Sequence, residues 1–422
     1  MIHTFEIQKQ IDPKMVKSIR KRYSLHASAT TKTGTTFYKT NDLKDKGIKE
    51  LVIMKMPSRA DIGYDFFVKI QINPNVILPP VNVQLQKEDI SNYPTGINIF
   101  SDLFVFSLYD YIYDFLPELN AHRGKLKLAD ICSISDVDEK ERLYNEWHKD
   151  NYNSFKLNRI DYTYDVYLCP QEYLMLLNRG YKLKSKKTKN LKYNHKYGEQ
   201  NIDVKNNFVE LKFYDKERQL IEVKMSPEIA QNHPVLRIEL SLLKHKMYDI
   251  RTNMNKRVER TLFDFADVDI ANEYVTKYIN KITGDGDYVE YDTAVRIIEN
   301  SLYGKNTKTK LKELILAISK HRGIDAYLES IKGNAKPTEA TVKKHLKMIH
   351  DLGINPVTIS KKGFENVPVI GGERSLPSLS KIVQAYSRSE SAGVIDDTAS
   401  YTDIDQWMKI MEGHVTEGDS CS

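Results

Sequence analysis

Four segments alternate apolar and polar residues with the two-residue period of a half-buried strand. In residues 65–74, DFFVKIQINP, Phe66, Val68, Ile70 and Ile72 fall opposite Lys69 and Gln71. Residues 157–168, LNRIDYTYDVYL, set Arg159, Asp161, Thr163 and Asp165 against Ile160, Tyr162, Tyr164 and Val166. In VELKFYDKERQL, residues 209–220, Glu210, Lys212, Tyr214 and Lys216 oppose Val209, Leu211 and Phe213. Residues 235–242, VLRIELSL, place Arg237, Glu239 and Ser241 opposite Leu236, Ile238, Leu240 and Leu242. The apolar run 97–119, INIFSDLFVFSLYDYIYDFLPEL, is broken by Asp102, Asp110 and Asp114 at intervals too short for a membrane span, and predicts a buried helix.

Beyond GDGDY, residues 284–288, the period becomes helical. Helices are predicted over 293–304, 307–323 and 338–353, the last opening on Thr338 and closing on Gly353. With Pro337 in the turn and an extended piece after Gly353, this stretch reads as a helix-turn-helix-like unit. From residue 371 the chain turns rich in Ser, Gly, Asp and Thr, and a mostly disordered tail is expected, with one short helix at 402–412. The expected organisation is α+β: residues 1–285 form a central antiparallel sheet covered on one face by helices, 286–370 a helical domain, and 371–422 the tail.

Composition narrows the class. The 422 residues are 41% hydrophobic and 28% charged, as in a globular protein with a sizeable core. A net charge of +6 permits a polyanionic partner without requiring one. Cys132, Cys169 and Cys421 have neither zinc spacing nor a disulfide framework, which predicts a reducing, cytoplasmic setting. The first residues, MIHTFEIQKQIDPKM, carry charges where a secretory signal needs an apolar run.

If the four strands share a sheet, its polar face gathers arginines, carboxylates, lysines and a phenol. Two accounts stand open at this point. The groups can be cross-strand ion pairs on a wet face. Alternatively they serve phosphoryl chemistry: paired carboxylates suit Mg²⁺ or Mn²⁺, arginine forks match phosphate, and Tyr214 is a nucleophile if a neighbour such as Lys216 favours its phenolate. Residues 181–200, YKLKSKKTKNLKYNHKYGEQ, hold seven lysines before any acid, interleaved with Tyr181, Tyr193 and Tyr197. They read either as a solvated loop or as a DNA-holding segment in which Lys184, Lys186, Lys187, Lys189, Lys192 and Lys196 meet phosphates and the tyrosines stack on bases. No GxxxxGK[ST], GxGxxG or HExxH motif is present, which leaves no signal for a P-loop motor, a dinucleotide enzyme or a zinc protease.

The ordered set RID at 159–161, FYDK at 213–216 and RIEL at 237–240 resembles the rolling-circle replication initiators of filamentous phages and related plasmids, the gene II/X type, which look like relatives of the HUH endonucleases. The resemblance covers roughly residues 50–360. It implies an HUH-like nickase fold in which Tyr214 attacks a DNA phosphodiester, becomes linked to the 5′ phosphate and frees a 3′ hydroxyl for priming. It also implies that Asp161 and Glu239 bind Mg²⁺ or Mn²⁺, that Lys216 assists the phenolate or the phosphate, and that Arg159 and Arg237 contact DNA. Where the HUH strand usually presents a histidine pair this one has Lys69 and Gln71, so that either the carboxylates alone suffice or another side chain substitutes, such as His195 or His233. Origin DNA is the implied partner, with a host helicase and single-strand-binding protein as family-level expectations. Two other readings remain: a relaxase for conjugative or mobilisation transfer, and a non-enzymatic DNA-binding regulator using the lysine-rich segment and the C-terminal helices.

Overall fold

The computed structural model describes residues 2–58, 63–77, 99–119, 130–131, 133–152, 154–166, 168–180, 192–193, 201–216, 218–219, 235–253, 259–284, 286–332, 337–360, 362–370 and 372–391. The chain is α+β with a large antiparallel sheet. Two compact units divide it: residues 1–162 with 207–209 and 241–271, and residues 163–206 with 210–240 and 272–422.

The first unit contains β1 (Ile2–Ile11), β2 (His26–Thr30), β3 (Thr36–Thr40), β4 (Ile48–Pro57), β5 (Tyr64–Ile72) and most of β6 (Lys156–Val166), ordered β2-β3-β4-β5-β1-β6. Antiparallel register pairs Phe5 with Ile72 and Ile7 with Ile70, all four fully buried or nearly so. The alternate pairs, Glu6 with Gln71 and Gln8 with Lys69, form the opposite, half-buried face. Between β1 and β2 lies the helix Pro13–Arg22, whose start follows from sequence: the Asp12 carboxylate accepts from the Lys14 and Met15 N–H groups and Pro13 takes the first helical position. Arg20, Lys21 and Arg22 in its last turn complement the helix dipole.

The apolar run folds as the expected buried helix, Ile99–Phe115, with Val105, Leu108, Tyr109 and Ile112 at most 1% exposed. Asp114 faces solvent. Among the described residues no helix is long and apolar enough to cross a membrane.

The second unit carries β7 (Lys192–Tyr193), β8 (Asn201–Lys205), and most of β9 (Val209–Asp215) and β10 (Leu236–Leu243), ordered β10-β9-β8-β7. Its C-terminal part holds a small sheet, β11 (Tyr288–Val289), β12 (Val369–Ile370) and β13 (Glu373–Leu376), ordered β11-β13-β12. The three expected helices appear as Tyr291–Asn300, Lys305–Lys320 and Glu339–Asp351, with a further short helix, Ile324–Ser330, that the sequence pattern had merged into a turn.

Two expectations on organisation are corrected. Compactness does not divide the chain at 285, because the helix Pro170–Arg179 is bound into the C-terminal part. The Tyr173 hydroxyl donates to the Pro377 carbonyl at 2.7 Å, the Tyr173 ring meets Tyr288 edge to face, and Asn366 donates to Glu172 at 3.1 Å. The tail does not begin at 371. β13 and the helix Leu379–Ser391 bury Leu376, Leu379, Ile382 and Val383, and the Ser378 N–H and Lys381 ammonium are both held by Asp287. Averaging composition over 371–422 hid these few apolar side chains, whose spacing is what folds them. The helix expected at 402–412 lies outside the described residues.

The glycine pair of GDGDY has a packing role. A Cβ on Gly286 would fall 2.2 Å from the Ile354 carbonyl carbon and 2.3 Å from its oxygen. That close approach lets Asp287 join Ile354 in a parallel bridge, with the Asp287 N–H on the Gly353 carbonyl at 2.9 Å and the Asn355 N–H on the Asp287 carbonyl at 2.7 Å. Gly286→Ala is therefore expected to destabilise the protein by about 1–3 kcal/mol, as overpacking does, read as a lower urea midpoint at unchanged slope.

Candidate active site

The second unit positions the tyrosine nominated from sequence. β9 alternates as expected, with Val209, Leu211 and Phe213 buried and Glu210 and Lys212 half-exposed. Tyr214, one residue from the strand's end, is only 7% exposed. Its hydroxyl donates to Glu239 Oε1 on β10 at 2.6 Å. Two residues earlier on β10, Arg237 gives Nε and Nη2 to the two oxygens of Asp165 at 2.6 Å each, a bidentate pair across to β6. Tyr214, Glu239, Arg237 and Asp165 thus form one connected cluster within this unit.

Burial is the largest force on the phenol and pushes its pKa well above the ordinary value of about 10; the Glu239 carboxylate adds to this and Arg237 opposes it. Even an unperturbed phenol is only about 0.1% ionised at pH 7. A standing phenolate is therefore not available. Any reaction of this oxygen would have to move its proton, and Glu239 is the group to which the hydroxyl is hydrogen-bonded.

Lys216 does not hold the phenolic oxygen as expected. Its ammonium donates to Gln219 Oε1 at 2.7 Å and lies 5.9 Å from the centre of the Tyr214 ring. The chain has left the strand at this point, with the Lys216 N–H on the Val235 carbonyl at 2.9 Å and the Arg218 N–H on the Asp215 side chain. Lys216 is the first residue past β9, and its ammonium lies toward the Tyr214 ring and not on the hydroxyl.

Arg159 and Asp161 sit in the first unit and serve each other. Arg159 donates from Nε to Asp161 at 2.7 Å and from Nη2 to Ser241 at 3.0 Å, and Thr4 donates its hydroxyl to the second Asp161 oxygen. Lys69, on the strand expected to carry metal-binding side chains, pairs with Glu6 at 2.9 Å. Here the cross-strand ion-pair account describes the contacts. Both arginines nominated for DNA contact are engaged by carboxylates, Arg159 by Asp161 and Arg237 by Asp165.

The two nominated metal ligands, Asp161 and Glu239, belong to different units. Asp161 has a donor on each oxygen and Glu239 accepts from Tyr214. Among the described residues no three His, Cys, Asp or Glu side chains are grouped to hold a metal ion. The described donors do not fit a resident Mg²⁺ or Mn²⁺. His195, His233, Lys184, Lys186, Lys187, Lys189 and Lys196 lie outside the described residues; Lys192 is described only as backbone in β7.

Sequence reasoning missed two contributors. The first, within the first unit, is β1, whose Thr4 donates to Asp161 and whose Glu6 pairs with Lys69; its alternation is visible in HTFEIQKQ. The second is Asn201, directly opposite Tyr214 in the β8–β9 ladder, whose buried Oδ1 has no hydrogen-bond partner. Nothing in the sequence gives that register.

Comparison with protein-family models, with curated proteins and with solved structures finds no match to this chain.

Because the Glu239 charge contributes to the high Tyr214 pKa, Glu239→Gln is expected to lower it while burial keeps it above the ordinary value. The check is an alkaline absorbance titration of tyrosinate, differenced against the Tyr214→Phe, Glu239→Gln double variant. An unmoved Tyr214 titration would show that the carboxylate does not act on the phenol.

Proposed function

We propose that this chain is a rolling-circle replication initiator, a DNA nickase related to the HUH endonucleases, with Tyr214 as nucleophile and Glu239 as general base. The observation that carries the reading is the 2.6 Å hydrogen bond from the Tyr214 hydroxyl to Glu239, with the Arg237 guanidinium two residues from that base on the same strand. The order of the Arg-x-Asp, Tyr-x-Lys and Arg-x-Glu strands supports the same reading, as does the run of lysines that precedes the tyrosine strand.

In the proposed step, the Tyr214 oxygen attacks a phosphodiester phosphorus as its proton passes to Glu239. The oxygen–phosphorus bond to tyrosine forms, the bond to the 3′ oxygen breaks, and that oxygen leaves with a proton from solvent. The products are a 5′-phosphotyrosyl link and a 3′ hydroxyl that primes synthesis. Arg237 and Lys216 supply positive charge for the phosphate oxygens as charge develops on them. No step is assigned to a metal ion.

The purified protein, with supercoiled DNA carrying its own origin and either Mg²⁺, Mn²⁺ or EDTA, is expected to yield nicked circles with protein covalently attached to the 5′ end. Tyr214→Phe should abolish both nick and adduct. Glu239→Gln should slow nicking by about 10²–10⁴-fold, the usual worth of a general base. Nicking by Tyr214→Phe at the parental rate overturns the assignment; footprinting without cleavage in every metal condition favours a DNA-binding regulator instead.

A further inference from the structure

In the second unit the helix Lys305–Lys320 packs on both Ile324–Ser330 and Glu339–Asp351. Leu311, Leu314, Ile315 and Ile318 of the first, Ile324 of the second, and Val342, Leu346 and Ile349 of the third are all buried. The third helix is firmly started, with the Thr338 hydroxyl accepting the Thr341 N–H, and firmly ended, with Gly353 in the left-handed region at φ 75°.

The third helix divides cleanly into two faces. Val342, Leu346 and Ile349 recur at helical spacing on the inner face. Ala340, Thr341, Lys344 and Lys347 are exposed on the outer face, with Met348 half-exposed beside them. Its acids stand at the two ends, Glu339 and Asp351, each paired along the helix, to Lys343 and Lys347 respectively. In the first turn Ala340 and Thr341 are small and exposed, beside the Glu339–Lys343 pair.

Positive charge converges at the edge of this face. Burial holds the His345 imidazole below its ordinary pKa, and Lys310 of the first helix and Lys344 of the third add to this in smaller measure, with no carboxylate among the causes. Lys305 and Lys310 are exposed on the first helix. Like charges gathered from two helices repel one another, and a partner rich in phosphate relieves that repulsion.

We propose that the helix Glu339–Asp351 reads duplex DNA in the major groove, with Thr341, Lys344 and His345 facing base edges and Lys310 holding the adjacent backbone phosphate. A helix of about 10–12 Å diameter fits a groove about 12 Å wide. The inference deepens the nickase reading, on which it rests for its biological setting: it assigns choice of the double-stranded site to this helix, apart from the residues that cut. A partner protein with an acidic surface is the competing occupant. The exposed face favours DNA because it is thinly apolar, with Met348 its one large apolar side chain.

The test is binding, read without cleavage. The full-length chain in EDTA is incubated with a random duplex library, bound DNA is recovered and sequenced, and the enriched duplex is titrated by fluorescence anisotropy at several KCl concentrations. A defined enriched motif is expected. Lys344→Ala should weaken that duplex by about 10- to 100-fold and relax the motif at the bases it contacts, whereas Lys310→Ala should weaken all duplexes alike and reduce the salt slope by about 1. No enriched motif, or unchanged binding by both variants, overturns the proposal. Because no cutting is scored, failure of Tyr214 to nick leaves this result standing, and failure to find a motif leaves the nicking result standing.

Discussion

A carboxylate withdrawn from water must find donors, and that requirement organises the polar side of the strands in both units. Asp161 takes Arg159 and Thr4, Asp165 takes the Arg237 fork, Glu6 takes Lys69, and Glu239 takes the Tyr214 hydroxyl. Each alternative would leave a partly desolvated charge unpaired, at a cost greater than a surface ion pair returns.

One of these pairs differs in kind. Arginine and lysine bring a full charge to their acids, so those pairs are electrostatically closed. Tyr214 brings only a dipole and a proton it holds more tightly than a free phenol does. The Tyr214–Glu239 contact therefore keeps a negative charge beside a reactive oxygen, with Arg237 close enough to influence both. Among the described carboxylate contacts named above, it is the one in which a neutral hydroxyl, not a cation, is the acid's named partner.

The C-terminal helices follow a different logic. Their inner faces are ordinary apolar stripes, and Lys310 and Lys344 stand exposed on two of the helices. Around them, close backbone approach at Gly286 and the hydrogen bonds of Asp287 draw in the stretch from Val369 to Ser391, so that residues with a low-complexity composition become a strand and a helix. A few apolar positions at the right spacing outweigh the average character of the segment.

Local chemistry was legible in the sequence where one element suffices to express it. Period-two alternation located β5, β6, β9 and β10; Thr338 with Gly353 marked helix ends; the apolar run of 97–119 read correctly as a buried helix. The polar residues of four strands, including Tyr214 and Glu239, were nominated for the same reason, since the pleat alone assigns them a face. Which of those residues meet depended on register and on where each strand stops. Only the tertiary structure put Tyr214 on Glu239 and Asn201, turned Lys216 toward Gln219, drew β1 into the polar face, and bound the helix Pro170–Arg179 to chain more than a hundred residues later. Alternation determines the face of a side chain; its partner is decided by contacts between residues far apart in the chain, which no local pattern encodes.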